Sequence, residues 1–225
     1  MNNIHHIVYI NLEHRADRRA EVEGELTSRG LSGERFDAIN ERPGIVGCGK
    51  SHLAVLERAQ EQGWEHVLIL EDDFQFDVDK ETADAQMQAF FDLKIPYDVL
   101  MLSYGMDPPC RSLDPPRRSG LEDPPCRSGL EDLLEPYNEV VSRAVNATTA
   151  SGYLVHSRFY DALIANLKEA IPQLICTGRH WDFANDIYWW RLQSVSQWFC
   201  MNTRIGRQRP SYSDISDRFV HYTNC

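Results

Sequence analysis

The chain has 225 residues and a net charge of −11, and 42% of its residues are hydrophobic, which suffices for one sizeable core. Such an acidic chain lacks the basic face that nucleic acids and anionic membranes require, so neither is an expected partner. It has no run of roughly 18 apolar residues, no signal-peptide pattern and no CxxC pair, so we expect no transmembrane segment, a cytoplasmic location and reduced thiols.

The first forty residues predict a strand, a helix and a second strand. The run IHHIVYINL, residues 4–12, is apolar and rich in β-branched side chains, as is typical of a buried strand. Residues 13–30 are mostly good helix formers and end at a glycine. Residues 33–40 predict a short second strand followed by a loop.

A glycine-rich segment comes next. Three glycines within residues 44–49 predict a flexible loop, after which Ser51 is expected to cap a helix over residues 52–62. Cys48, between two of these glycines, is interpreted as a small packing residue. The apolar run from Val67 to Leu70 predicts a buried strand. This alternation of strands and helices predicts an α/β sandwich with a mostly parallel central sheet.

The second half of the chain continues the alternation and contains one interruption. Residues 107–131 repeat a DPP-containing unit three times, and paired prolines block both helices and sheet ladders. We therefore predict a single domain over residues 1–225 with a Pro-rich loop insert at 107–131. The other predicted elements are helices at 80–93, 157–171 (ended by Pro172) and 180–193, strands at 97–105, 147–156 and 196–203, and a tail on the surface or across a site.

Three carboxylates follow the strand VLIL directly. Ligands of parallel α/β sheets bind at the carboxyl ends of the strands, where Glu71, Asp72 and Asp73 are expected. Clustered acids repel each other and raise each other's pKa, and a divalent cation removes that conflict. Their hard oxygen atoms suit magnesium or manganese. The alternative is that they are solvated loop residues or caps of the next helix.

Two other enzyme classes share parts of this pattern. A response-regulator receiver domain needs a phospho-accepting aspartate at the end of a later strand, but the strand YDVLMLS ends at Ser103. A haloacid dehalogenase needs an acid two residues after its nucleophilic aspartate, and the residue two places after Asp73 is Gln75. For both classes, this chain lacks the residue that would perform the chemistry.

Several motifs together resemble glycosyltransferase family 25, the lipopolysaccharide and procollagen galactosyltransferase-like group. In chain order they are YINLEHRADRR, GIVGCGKSHLAVLERA, VLILEDDF, TTASGYLVHSRFYDAL and FANDIYWW. The resemblance extends from about Ile4 to Ile215 and omits the triple repeat. It implies a GT-A-type fold, a nucleotide-sugar donor, a divalent cation and inversion at the sugar carbon.

The resemblance also implies roles for individual residues. Asp73 matches the direct metal ligand, and Glu71 or Asp72 would contact the ribose or a metal-bound water. The metal ligands are then Asp73 and Glu71, and the residues that match nucleotide-sugar-binding positions are Asn11, Leu12, Arg15, Asp17, Ser51, His52, Glu71 and Asp72. Arg18 belongs to the same first-strand motif, although it and Arg15 can instead pair with glutamates along a helix. His52 would bind a phosphate oxygen near a helix N-terminus, and a satisfied core histidine is the alternative.

The acceptor side of the site is expected near the aromatic segment. Asp186 matches an acid of the family and is the predicted catalytic base, with Asp182 as second choice. Tyr188, Trp189 and Trp190 suit either a sugar platform or a packed core.

Two further features have double interpretations. Arg207 and Arg209 in the tail can close over a diphosphate or remain solvated. Gly152 can admit a sugar close to the backbone, and packing explains it nearly as well.

The predicted function is that of an inverting glycosyltransferase using Mn²⁺ or Mg²⁺. It would move galactose or a similar hexose from a nucleotide-sugar donor, with UDP as the family-level choice, to a hydroxyl of a glycan, lipopolysaccharide, other lipid-linked saccharide or protein. The alternative is a glycosyltransferase-like binding protein that has lost turnover.

Overall fold

A computed structural model of the chain describes residues 1, 3–105, 134–215 and 218–220, so the insert predicted at 107–131 lies outside the described residues. The strands are β1 (Ile7–Asn11), β2 (Glu34–Asp37), β3 (His66–Glu71), β4 (Phe74–Phe76), β5 (Val99–Met101), β6 (Leu134–Pro136), β7 (Val141–Ala144), β8 (Gly152–His156), β9 (Trp198–Met201), β10 (Gly206–Gln208), β11 (Ser211–Ser213) and β12 (Arg218–Val220). The helices are α1 (Ala16–Ser28), α2 (Gly44–Glu61), α3 (Lys80–Asp92), α4 (Tyr160–Thr177), α5 (His180–Phe183), α6 (Asn185–Tyr188) and α7 (Trp190–Gln193).

Eight of the strands form a central sheet in the order β2-β1-β3-β8-β5-β9-β7-β6. Strands β7 and β8 run antiparallel to the other six. The sheet is therefore mixed but mostly parallel in strand direction, which confirms the predicted fold class. Two short antiparallel pairs, β4 with β10 and β11 with β12, lie outside this sheet.

Helices cover both faces of the sheet, and β3 shows how the sequence specifies this. Val67 and Ile69 belong to the core shared with α2 and α4, whereas Leu68 and Leu70 belong to the core shared with α1 and α3. All four side chains are fully buried. A strand that is buried on both faces reads as a continuous apolar run, which explains why VLIL shows no alternation.

The flexible loop predicted around residues 44–49 is wrong, because these residues form the first turns of α2. The helix starts after Pro43, and its glycines allow close packing. A Cβ on Gly47 would overlap the Ile39 carbonyl oxygen, and one on Gly49 would lie 3.5 Å from Ile171. Ser51 therefore lies inside the helix and does not cap it.

The predicted stop at Pro172 is also wrong, because α4 continues through this residue to Thr177. Proline removes one helix hydrogen bond. Helix α4 nevertheless continues, since Ile171 and Leu174 on either side of the proline are buried in the core. It ends at Gly178, whose φ of +67° is typical of a helix C-terminus.

The predicted aromatic helix at 180–193 is divided into the short helices α5, α6 and α7. No helix in the described ranges is long and apolar enough to cross a membrane. The assignment of residues 1–225 to a single domain stays a prediction.

Candidate active site

A cavity of about 350 Å³ opens at the carboxyl ends of β1 and β3, between α2 and the C-terminal tail. This is the edge at which parallel strands present ligands. Seven residues that the sequence analysis singled out for the site line it: Leu12, Arg18, Ser51, His52, Glu71, Asp72 and Asp73. The structure thus brings the acidic triplet and the middle of α2 to one cavity.

The three acids point in different directions because side chains alternate along a strand. Glu71, the last residue of β3, follows the direction of Ile69 toward α2. Asp72 follows the direction of Leu70 toward α1. Asp73 lies in the turn before β4. We call Asn11, Arg18, Asp72 and Asp73 the oxygen side, and Cys48, His52 and Glu71 the thiol side.

On the oxygen side, Asp72 is held by two donors. Arg18 Nη1 donates to Asp72 Oδ1 at 2.8 Å, and Asn11 Nδ2 donates to Asp72 Oδ2 at 2.8 Å. Arg35 fixes the Asn11 side chain through its Oδ1 at 3.0 Å. Burial raises the pKa of Asp72, and the Arg18 guanidinium opposes that rise.

Asp73 is only partly satisfied. Its Oδ2 accepts from Gln208 Nε2 at 3.2 Å and lies 3.4 Å from Arg18 Nη1. Its Oδ1 is buried and has no hydrogen-bond partner among the described residues, and the whole residue is 4% exposed. Burial, followed by the charge of Glu71, raises the pKa of Asp73 to about 8. A bound cation would supply both the missing partner and the missing charge, so these residues fit a divalent ion.

On the thiol side, two side chains contact Glu71 Oε1. His52 Nε2 lies 3.1 Å away, and Cys48 Sγ lies 3.5 Å away. The other ring nitrogen of His52, Nδ1, lies 2.8 Å from the Tyr153 hydroxyl. Burial raises the pKa of Glu71, but hydrogen bonding to His52 and its charge outweigh this and leave the pKa below its usual value. Burial and the Glu71 charge raise the pKa of the Cys48 thiol.

Ser51 and His52, which the resemblance predicts to bind the nucleotide sugar, are hydrogen-bonded to other protein groups. Ser51 Oγ donates to the Gly47 carbonyl at 2.7 Å and accepts from Ile39 N–H at 2.8 Å, within the buried interior. His52 lies in the middle of α2, so the free N–H groups of a helix N-terminus are not beside it. The structure contradicts that part of the phosphate-binding prediction.

Arg15 and Arg18, which follow β1, bind the C-terminal tail beside the cavity. Arg15 pairs with Asp17 at 2.8 Å and also with Asp214. Arg18 Nη2 donates to the Tyr212 carbonyl at 2.8 Å, in addition to its contacts with the acids. The charges of both arginines are therefore already balanced by protein carboxylates. Neither Arg15 nor Asp17 belongs to the described cavity lining.

Asp186 lies near the start of α6 and is not among the residues that line the described cavity. The Thr149 N–H donates to its Oδ2 at 3.2 Å. Burial raises the pKa of Asp186, and the nearby Glu71 charge raises it further. Asp182, on the neighbouring α5, instead pairs with Arg179, which directly precedes that helix.

The aromatic segment and the tail mostly have packing roles. Trp189 is 1% exposed, and its Nε1 donates to the Ala147 carbonyl at 3.1 Å, so it is a core residue and not an accessible platform. Arg209 pairs with Glu21 and Glu25, and Arg207 pairs with Asp77 at 3.0 Å, so both have protein partners. A Cβ on Gly152 would meet the Phe74 ring at 2.5 Å, which supports the packing interpretation of that glycine.

One functional candidate escaped the sequence analysis. Arg42 is exposed, lines the cavity and makes no ion pair within the described part of the chain. It lies in the segment NERPG between β2 and α2, and β2 is the sheet neighbour of β1. A basic residue in the loop after the strand next to β1 was the available signal.

Comparisons with known proteins found structural likeness without sequence likeness. No family model and no curated protein matches the chain. A crystal structure of a glycosyltransferase involved in the glycosylation of the major capsid of PBCV-1 is 9% identical, with a TM-score of 0.50 over 94% of this chain and 95% of that one. A197 from STIV is 8% identical, with a TM-score of 0.48 over 96% and 93% of the two chains. Mouse xyloside xylosyltransferase 1 in its apo form is 12% identical, with a TM-score of 0.42 over 84% and 81%.

The fold assignment rests on the first of these likenesses together with the observed sheet. The likeness covers 94% of this chain. The cavity lies at the carboxyl ends of the strands, where this architecture presents ligands. The chain has a GT-A-like glycosyltransferase fold.

Proposed function

We propose that the chain is an inverting glycosyltransferase that moves a hexose from a UDP-sugar to a hydroxyl of a glycan, lipopolysaccharide or protein. The fold supports this proposal, as does the resemblance of the sequence motifs to family 25. The observation that carries it is Asp73, which lines the acidic cavity and whose buried Oδ1 has no hydrogen-bond partner among the described residues. A site that receives a cation and a diphosphate explains why such an arrangement is tolerated.

Asp73 would hold the Mn²⁺ or Mg²⁺ directly, since both ions prefer hard oxygen ligands. Asp72 is fixed by Arg18 and Asn11 and would contact the ribose or a metal-bound water. Glu71 is the other predicted ligand, and its contacts with the thiol side leave it the less direct one. When bound, the cation supplies positive charge opposite the leaving diphosphate.

The donor would lie between the acids and the loop after β2. Leu12 and Ile39 give this part of the cavity an apolar surface suited to a base. Arg42 would approach the diphosphate, because its charge is not balanced by any carboxylate in the described residues, unlike those of Arg15 and Arg18. Arg42 would thus be the cation of the chain that faces the diphosphate.

Asp186 would act as the catalytic base. In inverting transfer the acceptor oxygen forms a bond to C1 of the sugar, the bond from C1 to the phosphate oxygen breaks, and the acceptor proton moves to a carboxylate. Proton affinity raised by burial and by Glu71 suits Asp186 to that role. The influence of the Glu71 charge on Asp186 supports a position near the proposed donor site, although Asp186 is not among the residues that line the described cavity.

The direct test is a screen of nucleotide-sugar donors with Mn²⁺, read out by product mass, on the full chain. We expect turnover with a UDP-hexose, and a fall of about 100-fold or more in Asp73→Asn, because one buried electrostatic contact of this kind typically contributes that much.

Asp92→Asn is the matched control, since Asp92 is an acid at the exposed end of α3. It should retain full turnover. Undiminished metal-dependent turnover in a folded Asp73→Asn protein would remove Asp73 from the proposed role.

A further inference from the structure

On the thiol side, Cys48 and His52 have no role in the proposed reaction, and Glu71 is only the less direct of its two predicted metal ligands. Cys48 and His52 are four residues apart, so they lie on the same face of α2. Glu71 faces them from the end of β3. One donor atom from each of the three residues lies within 4.8 Å of the others, and this is the one such His/Cys/Asp/Glu group found among the described residues.

Two of the three spacings between these atoms are close to those of ligands around a small tetrahedral ion, and the third lies within 4.8 Å. Zinc binds sulfur near 2.3 Å and nitrogen or oxygen near 2.0–2.2 Å, so tetrahedral ligands are about 3.4 Å apart for a nitrogen–oxygen pair and about 3.6 Å for a sulfur–oxygen pair. The observed distances are 3.1 Å from His52 Nε2 to Glu71 Oε1, and 3.5 Å from Cys48 Sγ to the same oxygen.

The surroundings orient the histidine as a metal ligand requires. His52 is 1% exposed, and its Nδ1 lies 2.8 Å from the Tyr153 hydroxyl. A hydrogen bond at the remote nitrogen fixes the ring orientation, as outer partners do in known metal sites, and the hydroxyl can accept from Nδ1–H when Nε2 binds an ion. The Tyr153 ring packs against His52 and against Trp189, which holds the hydroxyl in place. Nε2 is thereby directed at Glu71.

The donor set selects a different ion from the one proposed at Asp73. Thiolate and imidazole favour zinc and similar borderline-soft ions, whereas carboxylate and water favour magnesium and manganese. We propose that Cys48, His52 and Glu71 form a binding site for Zn²⁺ or a similar ion, with three protein ligands and a fourth position open to the cavity. This site shares only Glu71 with the predicted ligands of the donor cation, and its occupation does not depend on the proposed transfer reaction.

Cobalt spectroscopy tests the site without any donor or acceptor. The full chain titrated with Co²⁺ should show a thiolate-to-cobalt charge-transfer band, and added Zn²⁺ should abolish it at one equivalent. Cys48→Ser should lose the band. Cys176→Ser should keep it, because Cys176 is an exposed cysteine on α4 outside the group.

Two further variants separate a metal site from a hydrogen-bonded cluster. Tyr153→Phe removes only the outer hydrogen bond and should weaken Zn²⁺ binding by about 10- to 100-fold, measured by competition with a chelating dye. Asp73→Asn should leave Zn²⁺ affinity unchanged, so failure of the proposed function would not affect this result.

Absence of the band in the wild-type chain would overturn the proposal, as would an unchanged band in Cys48→Ser. Loss of the band in Cys176→Ser would also overturn it, because binding would then belong to a different thiol. Thermal unfolding of each variant shows whether a lost band reflects a lost ligand or a lost fold.

Discussion

The oxygen side and the thiol side of the cavity balance their charges differently. On the oxygen side, Arg18 reaches Asp72 and Asp73 together, and Asp73 Oδ1 still has no hydrogen-bond partner within the described residues. On the thiol side, His52 and Cys48 both contact Glu71. A cation relieves a charge conflict on the oxygen side but must displace protons on the thiol side. Three acids adjacent in sequence therefore occupy two chemical environments.

The largest expected effect concerns the proposed base beside the thiol side. Asp186→Asn removes the proton acceptor but keeps the shape that accepts the Thr149 N–H. Transfer should fall by about 10²- to 10⁴-fold, the usual contribution of general base catalysis, while donor binding survives. Steady-state transfer and calorimetric donor binding measure the two quantities.

Asp182→Asn is the matched control for that variant. Asp182 lies on α5 and pairs with Arg179, which directly precedes the helix. A larger loss of transfer in Asp182→Asn than in Asp186→Asn would exchange the two roles. Normal transfer in Asp186→Asn would leave the thiol side without a catalytic neighbour.

The next effect tests the charge balance of the oxygen side. Arg18→Gln leaves the buried Asp72 and Asp73 without their cation, which should lower the free energy of unfolding by about 3–5 kcal/mol, as typically follows when one partner of a buried pair is removed. Urea unfolding at neutral pH measures it, and Mn²⁺ should restore part of the loss.

Arg19→Gln provides the comparison, because Arg19 makes an exposed pair with Glu23 at 2.9 Å, and losing an exposed pair should cost much less stability than losing the buried one. Equal losses in the two variants would show that the oxygen side carries no special charge conflict.

A smaller effect tests how the thiol side is positioned. Gly47→Ala places a Cβ against the Ile39 carbonyl oxygen and forces α2, with Cys48 and His52, away from the cavity floor. We expect about 1–3 kcal/mol of destabilisation, as for other overpacked positions. Gly24→Ala on α1 meets nothing within 4 Å and should stabilise by about 0.5–1 kcal/mol. Thermal unfolding that ranks the two variants in reverse would contradict the packing described for α2.

The smallest effect is a difference in pH dependence between the two sides. The pKa of Asp73 is raised to about 8, so the folded chain holds a proton there that the unfolded chain has released. Stability from this group therefore falls as the pH rises from about 4 to about 8. The pKa of Glu71 is lowered in the folded chain, so this group has the opposite effect. Its contribution to stability is present above the pKa of the unfolded chain and is lost on acidification.

Asp73→Asn should flatten the decline in stability between about pH 5 and about pH 8, seen in metal-free buffer by chemical unfolding. Asp92→Asn should leave the slope as it is in the wild-type chain. A wild-type slope that persists in Asp73→Asn would show that another group titrates.

The sequence was sufficient to predict the fold class, because buried strands and helices carry strong local patterns. It was insufficient where packing outweighs local preference. The glycines of α2 suggested a loop until Gly47 was seen against Ile39, and Pro172 suggested a helix end until its buried neighbours were seen. Both errors arise because a residue's propensity is a weaker influence than the core that surrounds it.

The candidate site was predicted in part. The position of the acidic triplet at the carboxyl end of β3 was predictable, because an apolar strand precedes it. Its division between the two sides depends on the alternation of Ile69, Leu70 and Glu71 across the sheet. The contact of Gln208 with Asp73 joins residues 135 positions apart and leaves no local signal. Cys48 lacks the close cysteine partner that marks zinc sites in a sequence, so only the structure relates it to Glu71.

One measurement tests the division between the two sides most directly. Thermal unfolding is recorded with UDP-galactose, with and without Mn²⁺, for the wild-type chain, Asp73→Asn and Cys48→Ser. The expected result is Mn²⁺-dependent stabilisation in the wild-type chain and in Cys48→Ser, and none in Asp73→Asn. Equal stabilisation of Asp73→Asn, or its loss in Cys48→Ser alone, would contradict placing the donor cation on the oxygen side.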